Sequence, residues 1–387
     1  MPESNASAGD RWSPRSNRVL LPLAAFSLLA LFLVEEGRRV VPSPWRDEML
    51  RAAETSADAA RALKNHRLER GVFVDPVNDP AETALIGQEY TQITTDRGYL
   101  EAKLASTDPN FAAVVVDMLH ELEVEPGDCV AVAMTGSFPA LNLSALAALE
   151  TLGTRPVVIS SVGASNFGAT DPYFTWLDME QEVARQGILY TRSTAASLGG
   201  GNDTGRGLSP KGRELLQQAV QRNGVPLLAA PQLEESIRRR VQLYREVCDP
   251  QPIAAFVNVG GGIASLGHSL NANLIPGGAS LRLPRRNFPA RGSLLRLAEE
   301  GAPVIHLLNV RQLRDRYGLS AVIDEAPVPG NGAVYGQVRY SVVQTLLLTG
   351  LLVATLVALL IFDQRAHRLG GAVASPTPAG SSAHESV

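Results

Sequence analysis

The chain of 387 residues contains only two cysteines and lacks the sequence motifs of several enzyme classes. Two cysteines cannot supply the thiolates of a CxxC…CxxC zinc site. The motifs G-x-S-x-G, G-x-x-x-x-G-K-[ST] and H-E-x-x-H do not occur. The markers of a hydrolase nucleophile elbow, a nucleotide phosphate loop and a zinc protease are therefore missing. We predict no bound metal and no cofactor. Because the phosphate loop is missing, any ATP-dependent reaction would have to be carried out by another subunit.

An excess of positive charge is also lacking. The formal net charge is −4 at pH 7, and aromatic residues make up 5% of the chain. A protein that binds nucleic acid needs clustered Lys and Arg side chains to neutralise phosphates. Because no basic stripe with interleaved aromatic residues occurs, we predict no nucleic-acid partner.

The two cysteines, Cys129 and Cys248, allow two interpretations. Cys129 lies in the apolar run CVAVAM, where a buried thiol is expected. In an oxidising compartment the two cysteines could instead form a disulfide. The sequence favours the buried thiol.

Two long apolar segments lie near the ends of the chain. Residues 342–362 carry no formal charge, and as a helix these 21 residues span about 32 Å, enough to cross a bilayer. Residues 19–34 form a shorter run that contains Pro22. Glu35 and Glu36 follow it, not the small residues of a cleavage site. We interpret it as an uncleaved signal anchor, with a cleaved secretory signal as the alternative.

Arginines flank both segments, and cytoplasmic flanks usually carry the excess. Three arginines lie between residues 11 and 18 and two between 365 and 368, but three more lie between 38 and 46. The excess of arginine on the tail sides of the two segments is therefore small. We predict a two-pass protein of the cell membrane with cytoplasmic tails (1–18 and 363–387) and the main domain outside; a domain facing the cytoplasm is the alternative. The composition of 370–387 predicts disorder.

A juxtamembrane amphipathic helix is predicted for residues 45–70. Its apolar positions recur at helical spacing and are Met49, Leu50, Ala53, Ala57, Ala60 and Leu63. This helix could pack on the domain, pair with a second copy or lie on the membrane surface. The thin alanine face favours packing on the domain.

Residues 71–323 alternate between apolar runs of strand length and helical patterns. This alternation predicts one Rossmann-like α/β domain with a mostly parallel sheet and helices on both faces. Strong strands are expected at 129–134, 156–160, 253–259 and 304–308. Residues 324–341 are predicted to be a linker to the second apolar segment.

Ligands of open parallel sheets bind beyond the carboxyl ends of the strands, so the loops after these strands are the candidate sites. The first loop contains Thr135, Gly136, Ser137 and Asn142, and Pro139 begins a helix. Backbone amides at such a helix start can bind a carboxylate or phosphate. The alternative is that Ser137 only caps the helix.

The second loop, 160–172, is long and rich in glycine. Its candidate ligand-binding residues are Ser161, Gly163, Asn166 and Asp171. The aromatic residues after it could form a wall of the site or anchor a surface loop in the core.

The third loop carries three consecutive glycines, whose amides can form an anion-binding nest. The candidate ligand-binding residues here are Asn258, Gly260, Gly261, Gly262 and Ser265. The loop is not a dinucleotide fingerprint, because no helix is predicted directly after it. His268 is the first choice for a general base, although a structural role is the alternative. Segment 199–207 is interpreted as a flexible surface linker, with a lid as the alternative.

Three segments carry a resemblance to a known family. They are MTGSFPALNLSALAALETLGTRPVVISSVGASNFGATDPYFTWLDME (134–180), NVGGGIASLG (258–267) and FVDPVNDP (73–80). Together with both apolar segments they resemble the bacterial poly-γ-glutamate system proteins. The resemblance implies a role beside the ligase and membrane subunits that make and export this capsule-type polymer. It implies no catalytic residues.

Three hypotheses follow for the function. The leading one is an accessory membrane protein of poly-γ-glutamate biosynthesis or export, whose outer domain binds the anionic polymer or a carboxylate-bearing precursor. The second is a γ-glutamyl hydrolase or transferase that uses Ser137 or Ser265 with His268. The third is a non-catalytic scaffold of the synthase complex. A single cleft lined by Ser137, Asp171, Gly261 and His268 would support a common site.

Overall fold

The computed structural model describes residues 17–320, 325 and 327–371. It divides into a compact unit of residues 42–336 and a second unit made of the two terminal segments. The strands are β1 (Arg39–Pro42), β2 (Thr94–Asp96), β3 (Cys129–Thr135), β4 (Arg155–Ser161), β5 (Ala164–Ser165), β6 (Ala195–Ser197), β7 (Ile253–Val259), β8 (Gly278–Ser280), β9 (Val304–Leu307) and β10 (Gly336–Arg339).

The helices alternate with these strands. They are α1 (Asn17–Glu36), α2 (Arg46–Glu69), α3 (Leu100–Ser106), α4 (Phe111–Glu121), α5 (Pro139–Thr151), α6 (Trp176–Arg185), α7 (Pro210–Arg222), α8 (Leu233–Cys248), α9 (Ile263–Leu266), α10 (Asn271–Leu274), α11 (Ser293–Glu299), α12 (Val310–Arg316) and α13 (Val342–Gly371). A 3-10 turn at Ala333–Tyr335 precedes β10.

The main sheet has six strands in the order β6-β4-β3-β7-β9-β8. Five are parallel, and the edge strand β8 is antiparallel to β9. The predicted α/β class with a mostly parallel sheet is therefore confirmed. The chain runs outward from β3 through β4 to β6 and then returns to β7 on the other side of β3. The strand order reverses between β3 and β7, and ligands of such sheets bind at this reversal.

Alternate residues of each strand point to two separate apolar cores, because side chains of a strand alternate between the faces of its sheet. In β3, Val130, Val132 and Met134 belong to the larger core, which also holds residues of α2, α4, α5, α6 and α7. Cys129 and Ala131 belong to the smaller core, which holds residues of α8 and α11. Helices thus cover both faces of the sheet.

Helix α2 lies within the range predicted for the amphipathic helix. Its buried face is rich in alanine and includes Met49, Ala59 and Leu63. The Ser56 hydroxyl lies 3.1 Å from the Ser144 hydroxyl of α5, and both side chains are buried. Of the three arrangements considered from the sequence, the structure has packing on the domain.

The two cysteines form a disulfide. Sγ of Cys129, at the start of β3, is bonded to Sγ of Cys248, at the end of α8. The expectation of a buried free thiol at Cys129 was wrong. The apolar surroundings of Cys129 are as expected, but its side chain points to the face that α8 covers, and this brings the second cysteine within reach.

The terminal unit contains α1, with Pro22 inside it, and α13. Residues 342–362 of α13 are the one segment, within the part of the chain that the structure describes, that is long and apolar enough to cross a bilayer. Two membrane helices were predicted, so the structure supports one of them. The apolar run of α1 is shorter and ends at two glutamates. Helix α13 continues to Gly371, beyond the predicted end at 362, while most of both predicted tails (1–16 and 372–387) lies outside the described residues.

Candidate functional site

A cavity of about 1070 Å³ opens at the carboxyl ends of β3 and β7, where the strand order reverses. Thr135, the last residue of β3, lines it together with Ser137 and Phe138 of the following loop, and Gly261 and Gly262 line it from the loop after β7. This is where the topology of an open parallel sheet places a ligand.

Helix α3 and the loop before it form another wall of the cavity. Strand β2 pairs in parallel with β5, and this pairing places the start of α3 beside the loop after β4. Asp96, Arg97, Glu101 and Lys103 line the cavity from this side, and Arg311 and Asp315 line it from α12. Three acidic and three basic side chains therefore share the cavity, which has no excess of basic groups.

Several backbone amides at the cavity are uncommitted. Within the described residues, the N–H groups of Ser137, Gly261 and Gly262 donate no hydrogen bond. Gly260 holds the turn before them with φ +89°, and a Cβ at this position would lie 2.4 Å from Oγ1 of Thr135. Glycine is therefore required where β7 passes β3. Uncommitted amides of this kind can bind an anionic or carbonyl oxygen.

Lys103 is the most unusual side chain of the cavity. It is one of three lysines in the chain, and 2% of it is exposed. Its Nζ donates to the backbone carbonyl of Ser137 and to the Ser165 hydroxyl, the latter at 2.9 Å. The ammonium also lies 3.9 Å from the centre of the Phe138 ring. Among the described residues, no carboxylate forms an ion pair with Lys103.

Burial without a carboxylate partner disfavours the charged form of a lysine. Desolvation lowers the pKa of Lys103 to about 7. A substantial fraction of this side chain is therefore neutral near pH 7, and its Nζ can then accept a proton.

A hydrogen bond links Ser137 to Ser165, the two residues that accept hydrogen bonds from Nζ of Lys103. The Ser165 amide donates to the Ser137 hydroxyl at 3.0 Å. The hydroxyl of Ser137 therefore does not cap α5, whose N-cap residue is Phe138 with no side-chain cap. The interpretation of Ser137 as a helix cap was wrong. The contact instead joins the loop after β3 to the loop after β4.

Below the cavity lies a buried polar network centred on Asp203. Its carboxylate accepts from Arg240 at 2.9 Å, from Ser236 at 2.6 Å and from Ser197 at 2.7 Å. Ser161, at the cavity wall, donates to the same carboxylate at 3.2 Å. Segment 199–207 is thus anchored through Asp203 and lines the cavity with its glycines, so the interpretation as a flexible surface linker was wrong.

The structure brings together part of the predicted site. Of the residues named from the sequence, those that line the cavity are Thr135, Ser137, Ser161, Gly163, Gly261 and Gly262. Those that do not line it are Gly136, Asn142, Asn166, Asp171, Asn258, Gly260, Ser265 and His268. Of the four residues chosen to test for a single cleft, Ser137 and Gly261 share the cavity, whereas Asp171 and His268 lie outside it.

Two of the residues outside the cavity hold the loops in place. The Asn142 side chain donates to the carbonyl of Thr135 at 2.9 Å. Asn166 donates to the carbonyl of Glu89 at 2.6 Å and accepts from the amide of Gly98 at 2.9 Å. These contacts position the backbone that surrounds the cavity.

The predicted Ser265–His268 pair is not formed. Ser265 is buried in α9, the short helix that follows the three glycines against expectation, and its hydroxyl donates to Oδ1 of Asn258. His268 accepts a hydrogen bond from the amide of Leu270 at 3.1 Å. A different histidine, His306, faces Asn258 at 3.0 Å, and burial lowers its pKa to about 4. His306 is therefore neutral near pH 7.

Lys103 was missed as a site residue, and Ser165, although it lies in the predicted loop 160–172, was not selected as one. A signal for Lys103 was present, because it lies one residue before Leu104 and three after Leu100, on the face that should pack against the domain. A lysine on such a face is rarely buried without a reason. Its partner, Ser165, lies in β5, and the pairing of β2 with β5 involves only two residues of each strand, too few to give a sequence pattern.

Within residues 17–320, 325 and 327–371, no cluster of three or more His, Cys, Asp or Glu side chains could hold a metal ion. The groups that the cavity offers to a ligand include hydroxyls, backbone amides, two arginine side chains and the buried amine of Lys103.

Comparison with protein families, with curated proteins and with solved structures gives no match to this chain.

Proposed function

We propose that this is a membrane-anchored accessory protein of poly-γ-glutamate biosynthesis or export, whose α/β unit binds a carboxylate-bearing γ-glutamyl ligand. The observation that carries the proposal is the cavity at the reversal of strand order, with uncommitted amides at Ser137, Gly261 and Gly262. The link to this polymer comes from the resemblance of segments 134–180 and 258–267.

The lack of an excess of positive charge in the cavity favours a small ligand. Long polyanions bind surfaces with an extended excess of positive charge, whereas this cavity holds Arg97, Lys103 and Arg311 against three carboxylates. Such a cavity suits a chain end, a short oligomer or a precursor, with single carboxylates next to single cations. We therefore propose that the protein handles the end of the polymer or its precursor.

For the topology, we propose two membrane passes, both termini in the cytoplasm and the α/β unit outside. Helix α13 supplies one anchor, and α1 is proposed as the second. The Cys129–Cys248 disulfide supports the outer location, because disulfides persist in oxidising compartments. The ligase and membrane subunits of the system are the proposed protein partners.

Binding of γ-glutamyl oligomers to the full-length protein in detergent tests the ligand. We expect saturable binding that competes with free γ-glutamyl peptides. Arg97→Gln and Arg311→Gln each remove a cation from the cavity and should weaken binding about tenfold. Arg238→Gln, an exposed arginine on α8, is the matched control. No saturable binding by the folded protein would refute the proposal.

The scaffold alternative predicts a different result in cells. Polymer production would then survive substitution of cavity residues and fail when α13 is replaced by an unrelated membrane helix. Our proposal predicts that Arg97→Gln with Arg311→Gln reduces production even though both membrane segments are intact.

A further inference from the structure

We infer that Ser165 and Lys103 form an acyl-transfer centre, in which the Ser165 hydroxyl attacks a carbonyl carbon and the Lys103 amine takes its proton. The γ-glutamyl amide as substrate rests on the proposed function; the centre itself rests on the geometry alone.

The two reacting atoms are in contact at the cavity. Nζ of Lys103 lies 2.9 Å from Oγ of Ser165, and both residues line the cavity. A general base must lie within hydrogen-bond reach of the proton that it removes. Among the side-chain hydroxyls in the described part of the chain, that of Ser165 is the one that forms a hydrogen bond with Nζ of Lys103.

The other neighbours of the Lys103 amine hold it in place but include no carboxylate that would stabilise its protonated form. The Ser137 carbonyl and the Phe138 ring hold the amine, and neither is a carboxylate. The titratable groups on the surrounding elements are Asp96, Arg97, Tyr99 and Glu101 on the α3 side and Arg311 and Asp315 on α12. None of these six side chains forms an ion pair or a hydrogen bond with Nζ of Lys103 within the described residues. The lowered pKa of Lys103, caused by its burial, suits a base that works near neutral pH.

Space is left beside the pair. A Cβ at Gly98 would lie 3.0 Å from Oγ of Ser165 and 3.2 Å from Cε of Lys103. The absence of a side chain there keeps both atoms free of a steric cover on the side of the cavity that Gly98 lines.

The other candidate hydroxyls are engaged elsewhere. Ser161 belongs to the network of Asp203 and Arg240, and Thr135 lies near the Val259 carbonyl. The hydroxyl of Ser137 accepts from the Ser165 amide at 3.0 Å, which makes Ser137 a positioning residue. Its own amide is uncommitted and can donate to the developing oxyanion.

The reaction balances as a hydrolysis. Oγ of Ser165 forms a bond to the amide carbonyl carbon while its proton passes to Nζ of neutral Lys103. The carbon–nitrogen bond then breaks, and the lysine ammonium protonates the leaving amine. Water attacks the resulting serine ester, with Lys103 again taking a proton, and this releases the carboxylic acid and restores the serine. With an amine as the second acceptor in place of water, the same centre transfers the acyl group.

Labelling of the full-length protein in detergent by a fluorophosphonate, located by peptide mass spectrometry, tests the centre. We expect the label on Ser165, none on Ser165→Ala, and labelling at least 100-fold slower in Lys103→Met. Lys211→Met, a substitution of an exposed lysine, should label like the wild type. The labelling rate of the wild type should rise with pH and reach half its maximum near pH 7, because the neutral amine is the base.

Release of amine from γ-glutamyl p-nitroanilide separates the two proposals. Labelling of Ser165 with no cleavage of this substrate would support the centre and overturn the γ-glutamyl assignment. Saturable binding of γ-glutamyl oligomers with no label on wild-type Ser165 would overturn the centre and leave the proposed function standing. If Lys103→Met fails to fold, the conservative Ser165→Ala variant and the wild-type pH profile still decide; a flat profile between pH 5 and 9 would overturn the role of Lys103.

Discussion

Asp203 and Arg240 form an ion pair at 2.9 Å in which both side chains are 1% exposed. The carboxylate also accepts from Ser197 and Ser236, so its buried charge is surrounded by donors. The pair joins segment 199–207, which lines the cavity, to helix α8 on one face of the sheet. The shape of the cavity therefore depends on a charge pair that does not itself line the cavity.

Removal of one partner of this pair should destabilise the protein strongly. Arg240→Met leaves the Asp203 carboxylate buried without its cation, which costs about 3–5 kcal/mol. Arg245→Met on the same helix breaks an exposed ion pair with Glu300 and should cost less than about 1 kcal/mol. Urea unfolding in detergent measures both free energies. Equal losses for the two variants would contradict the account.

Gly260 is expected to tolerate no side chain. Gly260→Ala forces alanine to φ +89° and brings its Cβ to 2.4 Å from Oγ1 of Thr135. Gly127→Ala is the matched control, because Gly127 has φ +87° with nothing within 4 Å of a Cβ. We expect the control to lose about 1 kcal/mol from the backbone conformation alone and Gly260→Ala to lose at least 1–3 kcal/mol more. A comparison of their unfolding free energies isolates the contact with Thr135.

The pKa of Lys103 predicts a pH-dependent stability. The folded pKa of about 7 lies below the unfolded value of 10.5, so the unfolded chain binds more protons between these values. The contribution of Lys103 is therefore least favourable at pH 7 and below, and it improves as the pH rises toward 10. The variant Lys103→Met has no titratable group at this position, so its stability lacks this pH-dependent contribution.

The melting temperature of Lys103→Met relative to the wild type should consequently be highest near pH 6 and decrease toward pH 9. A change of at least about 2 °C is expected if the effect exceeds 1 kcal/mol. Lys211→Met, whose lysine is exposed, should show no such trend. A trend of the opposite sign would show that Lys103 is stabilised as a cation.

The buried Glu180 predicts a contribution to stability that changes with pH in the opposite direction to that of Lys103. This carboxyl on α6 is buried beside Ser193, and desolvation raises its pKa to about 7. The folded protein binds more protons than the unfolded chain between pH 4.5 and 7, so the contribution of Glu180 worsens as the pH rises through this window. Glu180→Gln keeps a hydrogen-bonding side chain of the same shape. We expect it to raise the melting temperature by a few degrees at pH 8 and to have little effect at pH 4, measured by thermal unfolding at both pH values.

The disulfide predicts that neither cysteine reacts without a reductant. Intact-mass measurement after alkylation in denaturant should show no adduct before reduction and two adducts after it, because Cys129 and Cys248 are the only cysteines of the chain. The double substitution Cys129→Ala/Cys248→Ala should lower the unfolding free energy by about 2–4 kcal/mol. Alkylation of both cysteines in unreduced protein would contradict this prediction.

The sheet could be predicted from the sequence because its inner strands are continuous apolar runs. The strand at 253–259 is observed at those residues, and those predicted at 129–134 and 156–160 differ by one residue at their ends. The loops after them lead to the cavity for the same reason, since parallel strands end at one edge. The edge strands β6 and β8 were not predicted, because three residues are too few for a periodic pattern.

The chemistry of the cavity was harder to predict because it depends on contacts between distant segments. Lys103 meets Ser165 across 62 positions of the chain, through the short pairing of β2 with β5. The sequence drew attention to Ser265 and His268, since glycines lie beside them, but one turn of helix buries Ser265 against Asn258. Proximity in sequence was a poor guide to proximity in the site.

Strand β3 carries the disulfide at its first residue, Cys129, and the cavity at its last, Thr135. Six residues of extended chain separate these points by about 20 Å. Reduction of the disulfide would therefore lower the stability of the α/β unit without removing any group that lines the cavity.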